Sequence, residues 1–230
     1  MDYYGDWFPK LPKYNAFNNR LCYLSETIQA LSNCLMEELP IKQEEKDSLI
    51  DSMPVIVANQ KRSGSAKVAP EVCNKGYNDS KGMYYYGVKI HTLAQREYQS
   101  IPVPRKMFIT PASVNDLPAG KQMLEDVKNV DVYGDKIYKD GDWEERMFLE
   151  NGIVMYTPVK LKKGEDNLES ADKLYSSAVS AVRQPIESFF NWVIEKTKME
   201  TASKVRSLKG LMTFIFGRIA YLCLILLNIV

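Results

Sequence analysis

The order of strand-like and helix-like segments restricts this chain to very few folds. Three strand patterns, rich in β-branched or aromatic residues, come first: DSLIDSMPVIV at 47–57, GMYYYGVKIHTLA at 82–94 and KMFITPASV at 106–114. Helix and strand patterns then alternate: a helix at 116–128, a strand at 129–135, a helix at 142–151 with Gly152 just past its end, and a strand at 152–159. Strands followed by such alternation predict a mixed α/β sheet that is covered on its faces by helices.

Helical patterns lie on both sides of this region. Residues 14–39 place apolar side chains at steps of three and four, and Pro40 closes the pattern. A second helical region runs from about 172 to 200, where Pro185 either kinks the helix or starts a new first turn. We therefore predict a helical segment or linker at 1–43 and an α/β domain at 44–230. Asp116 is the predicted cap of the helix at 116–128.

Composition and charge exclude several classes of function. Thirty basic residues face 29 acidic ones, and a net charge of +1 gives no overall signature of nucleic-acid binding, so such binding would depend on local patches. The four cysteines are far apart and His91 is the single histidine, which argues against a structural zinc site and a disulfide framework. A cytoplasmic location fits best, since the start MDYYGDWFPK lacks the form of a signal peptide.

The C-terminal stretch RIAYLCLILLNIV raises the question of a membrane. Its unbroken apolar run, at 219–227, is nine residues long, whereas a helix that spans a bilayer needs about 20. We predict a buried helix, or a strand if the element is shorter. A membrane anchor is the alternative.

Three acidic residues occupy positions suited to binding metal ions. Asp51 interrupts an apolar strand, Asp135 follows Gly134 at the end of another, and Glu187 lies beside the apolar stripe of the late helix. A buried carboxylate needs a partner or a metal, and phosphoryl transfer by two metal ions needs oxygen ligands that converge on one point. The ordinary alternative for each is a turn residue or a solvated helix position.

Several basic residues are candidates for contacts with phosphate. Arg183 lies one helical turn before Glu187, so it either forms a surface ion pair with Glu187 or contacts a phosphate near the acids. Lys61 and Arg62 belong to the flexible basic segment QKRSGSAK, which follows the strand of Asp51. A solvated loop and an exposed charged helix are the ordinary alternatives here. A further basic stretch extends from Lys196 toward the C-terminus.

The chain resembles the DDE transposases of bacterial insertion sequences, whose catalytic domain has the ribonuclease-H-like fold. The resemblance covers the chain almost end to end and follows the order of motifs in that family. The matching stretches are LIDSMPV, GYNDSKGMYYYGVKIH, FITPASVND, VYGDKIY, GIVMYTPVK, RQPIESFFNWVIEKT and KVRSLKGL. The resemblance implies a ribonuclease-H-like mixed sheet flanked by helices over 44–230.

The same resemblance implies a set of functional residues. Asp51, Asp135 and Glu187 would form an acidic triad that holds two Mg²⁺ ions, for which Mn²⁺ can substitute. The spacing of Arg183 and Glu187 matches the signature of the family's late helix, and Lys196 lies near the position of a lysine in that signature. Lys89 and His91 fall in the family's YGxKxH pattern and are further candidates for DNA binding. A lone histidine on a strong strand is otherwise more often structural.

The resemblance also implies a function and partners. We expect metal-dependent strand cleavage and strand transfer on double-stranded DNA, at terminal inverted repeats and at a target, by a homodimer associated with the bacterial nucleoid and not with a membrane. Relatives usually begin with further helices, so we expect an N-terminally truncated chain. The alternatives are a ribonuclease-H-like nuclease that cuts without joining, and an inactive remnant that only binds DNA or other copies of the transposase.

Overall fold

The computed structural model describes residues 12–42, 44–161, 164 and 167–230, and these form a mixed sheet with helices on both faces. The strands are β1 Asp47–Ala58, β2 Asn74–Asn78, β3 Met83–Gln95, β4 Val103–Pro111, β5 Asp131–Tyr133 and β6 Val154–Tyr156. The helices are α1 Tyr14–Tyr23, α2 Ser25–Glu37, α3 Asp116–Leu124, α4 Gly141–Asn151, α5 Ser170–Arg183, α6 Pro185–Thr197 and α7 Leu208–Leu226. The predicted α/β class is confirmed, and the architecture is consistent with a ribonuclease-H-like fold.

The sheet is organised around two long strands. β1 and β3 pair antiparallel along almost their whole length, with Asp51 opposite Thr92. The other edge of β3 pairs with β2 over its first part and with β4 over its second part. On the far side of β1, β5 and β6 add as short parallel strands. The sheet is therefore antiparallel on one side of β1 and parallel on the other.

The two faces of β1 pack against different helices because side chains alternate along a strand. Leu49, Met53 and Val55 belong to a buried cluster that also contains residues of α6 and α7. Ile50 belongs to a second cluster, formed with α3 and α4. Asp51 lies in the row of Leu49 and Met53, so its carboxyl group is directed to the face that α6 covers.

β1 has a partly free edge on its parallel side. β5 pairs with β1 only at Asp47–Leu49, and the next pairing on this edge joins Ile56 to Thr201. The N–H groups of residues 52, 54 and 56 point toward this edge: that of Ser52 donates to Asp51 Oδ1 (2.8 Å), Pro54 has none, and that of Ile56 donates to the carbonyl oxygen of Glu200 (2.7 Å). A gap thus opens in the sheet beside Asp51, bounded by β5 and residues 200–202.

Some predicted elements differ from the observed ones. The helical pattern at 14–39 is divided at Leu24 into α1 and α2, and β2 adds a strand that the sequence did not predict. Asn115, and not Asp116, caps α3, because the Asn115 side chain accepts a hydrogen bond from the N–H of Leu117 (3.0 Å). Pro185 is the first residue of α6 and divides the late helix, as one of the two alternatives predicted. The domain boundary at residue 43 stays a prediction.

The apolar C-terminal stretch forms part of α7, which has 19 residues. Among the described residues, α7 is the one helix that is long and apolar enough to cross a membrane, although the core helix of a soluble protein passes the same test. Leu211 and Ile215 are fully buried, and both belong to the cluster that covers β1. These contacts support the prediction of a buried helix.

Candidate active site

The gap beside β1 opens into a cleft of about 650 Å³. Its lining includes all three predicted acids, together with residues of the β2–β3 turn and of α6. A break in a sheet, bounded by a strand end and by helix residues, exposes side chains from several elements to one space. The cleft is therefore the candidate active site.

Asp51 lies at the floor of this cleft and is held by two contacts. Its Oδ1 accepts the N–H of Ser52 (2.8 Å), and its Oδ2 accepts a hydrogen bond from Arg183 Nη1 (3.0 Å). The side chain is only 22% exposed. A carboxylate placed in an apolar row is thus partly compensated by a single guanidinium group.

Asp135 reaches the same cleft because of the register between β1 and β5. Asp47 lies opposite Asp131 and Leu49 opposite Tyr133, so Asp135, two residues after the end of β5, lies about level with Asp51. Its Oδ1 accepts the N–H of Lys136 (2.6 Å) at the start of a short 3₁₀ turn. This contact fixes the direction in which the side chain leaves the strand.

Gly134 is required by packing at the end of β5. A Cβ atom at this position would lie 2.8 Å from the ring of Tyr138 and 3.0 Å from Ile50 Cγ2. Its N–H donates to the carbonyl oxygen of Tyr156 (3.0 Å), which continues the pairing toward β6. The absence of a side chain therefore lets the chain turn tightly against the core just before Asp135.

Glu187 enters the cleft from α6, whose first residue is Pro185. Arg183, at the end of α5, donates from Nη2 to Glu187 Oε1 (2.9 Å) and from Nη1 to Asp51 Oδ2 (3.0 Å). Glu187 is the most exposed member of this group, with a side chain that is 55% exposed. The predicted Arg183–Glu187 pair is present, and it extends to the acid on β1.

Asp116, which the sequence predicts only as a helix cap, is a further acid in the lining of the cleft. It is the first residue of α3, its Oδ1 lies 2.9 Å from Lys89 Nζ, and its side chain is largely buried. Lys89 also donates to the carbonyl oxygen of Val114 (3.1 Å). The signal in the sequence is that Asp116 lies shortly after a strand-like stretch, as Asp135 lies at the end of one.

Asp51 is affected electrostatically by Asp116, Asp135 and Arg183. Burial, with smaller contributions from the negative charges of Asp116 and Asp135, raises the pKa of Asp51 to about 6, although the N–H of Ser52 and the charge of Arg183 act in the opposite direction. An elevated pKa means that the ionised form of Asp51 is insufficiently compensated. An additional positive charge in the cleft would stabilise it.

The chemistry of these residues fits a divalent cation. Carboxylate oxygens are the ligands that Mg²⁺ prefers, and Asp51 is a buried acid in a crowded negative environment. Among the described residues, however, no three such side chains converge closely enough to enclose a metal ion. The Glu187 side chain is 55% exposed, and Arg183 joins its carboxylate to that of Asp51.

The other predicted DNA-binding residues lie at different places. Lys89 lines the cleft, whereas Lys61 and Arg62 lie in an exposed turn after β1, and Lys196 is exposed near the end of α6. His91 is only 1% exposed, and its Nε2 lies 2.7 Å from Thr110 Oγ1. Burial lowers the pKa of His91 to about 4, so the ring is neutral at pH 7. This burial corrects the prediction for His91, since the ring has no surface for direct contact with DNA.

Comparisons with known proteins add one finding to this geometry. A family model described as the transposase DDE domain matches residues 42–224. The matched region extends from just before β1 to the last turns of α7 and includes every acid of the cleft. Searches of curated proteins and of solved structures found no match.

Proposed function

This chain belongs to the transposase DDE-domain family, and from that premise we propose that it catalyses metal-dependent cleavage and transfer of DNA strands at the ends of an insertion sequence. Asp51, Asp135 and Glu187 are the proposed metal ligands and catalytic residues. Members of this family generally use divalent metal ions, and Mg²⁺ is the proposed cofactor, with Mn²⁺ as a substitute. Double-stranded DNA is the proposed substrate.

One observation carries this proposal. Asp51 and Asp135 come level at the free edge of β1, and Arg183 joins Asp51 to Glu187 within the same cleft. Three acids from two strands and one helix therefore face one space that is open to solvent. An acid that served only as a turn or cap residue would not require this common position.

Each residue has a distinct proposed task. When bound, two Mg²⁺ ions would supply a nucleophile from water or a DNA 3′-hydroxyl and stabilise the leaving oxygen. Asp51 and Asp135 would provide oxygen ligands that are each held by a backbone N–H, and Glu187 would provide a ligand from a more exposed side chain that Arg183 holds. Arg183 neutralises the acids in the free protein and contacts a phosphate when DNA is bound.

The proposed partners follow from the reaction. The DNA carries terminal inverted repeats and a target sequence, and two copies of the chain act together on paired ends. The proposed setting is the bacterial cytoplasm, in association with the nucleoid. Lys61, Arg62, Lys89 and Lys196 are the proposed further contacts with the DNA backbone.

The test is cleavage of labelled DNA that carries the sequences flanking the gene, in Mg²⁺ or Mn²⁺. We compare the wild type with Asp135→Asn and with Asp142→Asn, which removes an exposed carboxyl group on α4 outside the cleft. The wild type and the control should cleave the DNA at similar rates. The rate of Asp135→Asn should be lower by at least about 100-fold, because metal catalysis contributes several kcal/mol. Equal rates in all three proteins would refute the triad.

The same reactions distinguish the alternatives. Recovery of labelled ends joined to a target plasmid identifies a transposase, whereas cleavage without joining identifies a nuclease. Folded wild-type protein that binds DNA and does not cut it identifies an inactive copy that only binds DNA.

A further inference from the structure

A second cavity, of about 380 Å³, lies beyond the point where Ile56 pairs with Thr201. It is formed by the loop that follows β1 and by the segment just before α7, which are far apart in the sequence. Arg62 and Lys67 come from the first segment and Arg206 from the second. We call the cavity lined by these three residues the basic pocket.

The basic pocket carries positive charge that no acid compensates. All three cations are exposed, and none of them forms an ion pair with any residue in the part of the chain that the structure describes. No Asp or Glu is present among its lining residues. In the cleft, by contrast, Lys89 and Arg183 are paired with acids. The charge of the pocket is therefore available to a ligand.

Polar groups and a fixed geometry accompany this charge. Arg206 Nη1 donates to the carbonyl oxygens of Ser203 and Val205, both at 2.7 Å, which holds its guanidinium group near the segment that it belongs to. Asn59, Ser65 and Ser203 add neutral side chains that can donate hydrogen bonds. This combination of arginine, lysine, amide and hydroxyl groups is the one that proteins use to hold phosphate oxygens.

β1 links the basic pocket rigidly to the cleft. Val57 and Ala58 line the pocket, and Asp51 lies six residues before Val57 on the same strand. The segment that carries Arg206 is held to β1 by hydrogen bonds from the N–H of Ile56 to Glu200 (2.7 Å) and from the N–H of Ala202 to Ile56 (2.9 Å). At about 3.3 Å per residue, the two sites are roughly 20 Å apart, which is about six nucleotides of one DNA strand at about 3.4 Å each.

We propose that the basic pocket binds a backbone phosphate of the DNA whose scissile phosphate lies in the cleft. The identity of the ligand as DNA rests on the function proposed above, and the site itself rests on its charge and geometry. Phosphate contacts position a duplex without reading its sequence. The pocket therefore fixes how the DNA lies along β1 and supplies sequence-independent affinity that the acidic cleft lacks.

The test measures how DNA affinity depends on salt, in EDTA so that no metal-dependent cutting occurs. The variant carries Arg62→Gln, Lys67→Gln and Arg206→Gln, and the matched control carries Lys128→Gln, Arg146→Gln and Lys173→Gln, which removes three exposed cations outside both cavities. A random-sequence duplex is the probe, between about 50 and 200 mM salt. Each phosphate that is no longer neutralised reduces the slope of log K against log salt by about 0.9, so loss of the one phosphate held by the pocket should lower the slope by about 0.9 in the variant and little in the control.

A second variant separates the loss of charge from any local unfolding caused by the Arg206 substitution. Arg62→Gln with Lys67→Gln leaves the backbone contacts of Arg206 intact, and its slope should also fall, by up to about 0.9. Equal slopes for these variants, the control and the wild type would overturn the subsite, as would failure of the wild type to bind the duplex. If the slopes differ as expected and the wild type does not cut DNA with Mg²⁺, the subsite stands and the proposed catalysis fails. If the wild type cuts DNA and all slopes agree, the proposed catalysis stands and the subsite fails.

Discussion

Replacement of Asp51 by asparagine should stabilise the protein at neutral pH while it removes a proposed metal ligand. In the wild type, burial of the Asp51 side chain and the charges of Asp116 and Asp135 raise its pKa from 3.8 to about 6. The folded state therefore holds a proton more tightly than the unfolded state does. Ionisation of Asp51 at neutral pH costs free energy in the folded protein, and asparagine does not ionise.

The size and sign of the effect follow from linkage. Below about pH 4, Asp51 is protonated in both states and contributes no difference. As the pH rises toward 6, the unfolded state ionises first and the folded state loses stability. Above about pH 6 the loss is complete, and a pKa of about 6 against 3.8 corresponds to at most about 3 kcal/mol, at about 1.4 kcal/mol per pH unit.

Urea unfolding in EDTA at pH 4 and at pH 7.5 measures this difference. The free energy of unfolding of Asp51→Asn, relative to the wild type, should rise by up to about 3 kcal/mol between the two pH values. Asp142→Asn removes an exposed carboxyl group and should show little change. A difference between Asp51→Asn and the wild type that does not depend on pH would refute the reasoning, since it would mean that Asp51 is not held in a destabilised ionised form.

Two further substitutions test the packing and the charge of the site. Gly87→Ala should lower the free energy of unfolding by about 3 kcal/mol or more, because the new Cβ would lie 2.0 Å from the carbonyl oxygen of Val55. Gly141→Ala is the control: its Cβ would have no atom within 4 Å, so it should be neutral or stabilising in urea unfolding. Equal effects of the two would contradict this. Arg183→Gln should lower the free energy of unfolding by about 1.5–3 kcal/mol at pH 7.5. The loss should be smaller at pH 5, where Asp51 is protonated and needs no cation. Urea unfolding at both pH values measures this, and an equal loss at both would mean that Arg183 acts only by packing.

Much of the sheet and the three proposed metal ligands could be predicted because local patterns carry them. β3 is a run of tyrosine, valine and isoleucine, and α4 ends at Gly152 with a positive φ of 64°, as the glycine at that position predicts. Asp51 could be singled out because it is a charge within an apolar strand. The register between β1 and β5 then brings Asp135, at the end of the neighbouring parallel strand, level with Asp51.

Other features depend on contacts between distant residues and have no local signal. β2 has the sequence NKGYN, which lacks an alternating apolar pattern, and it forms because β3 offers an edge. The pairing of Ile56 with Thr201 brings together the two segments that form the basic pocket, and the sequence of neither segment predicts this contact. Asp116 could equally serve as a cap or as a cleft residue, and only the position of Lys89 on β3 decides between them.

Pro54 has a consequence for how copies of this chain meet one another. An open strand edge normally invites a strand from a second molecule, which pairs with successive N–H donors and begins aggregation. Along the gap in β1, the donor of Ser52 is already taken by the Asp51 carboxylate, Pro54 has no donor, and the donor of Ile56 is bound to Glu200. The opening is therefore exposed to solvent and resistant to an invading strand, so the sheet can stay open beside Asp51 without acting as a template for self-assembly.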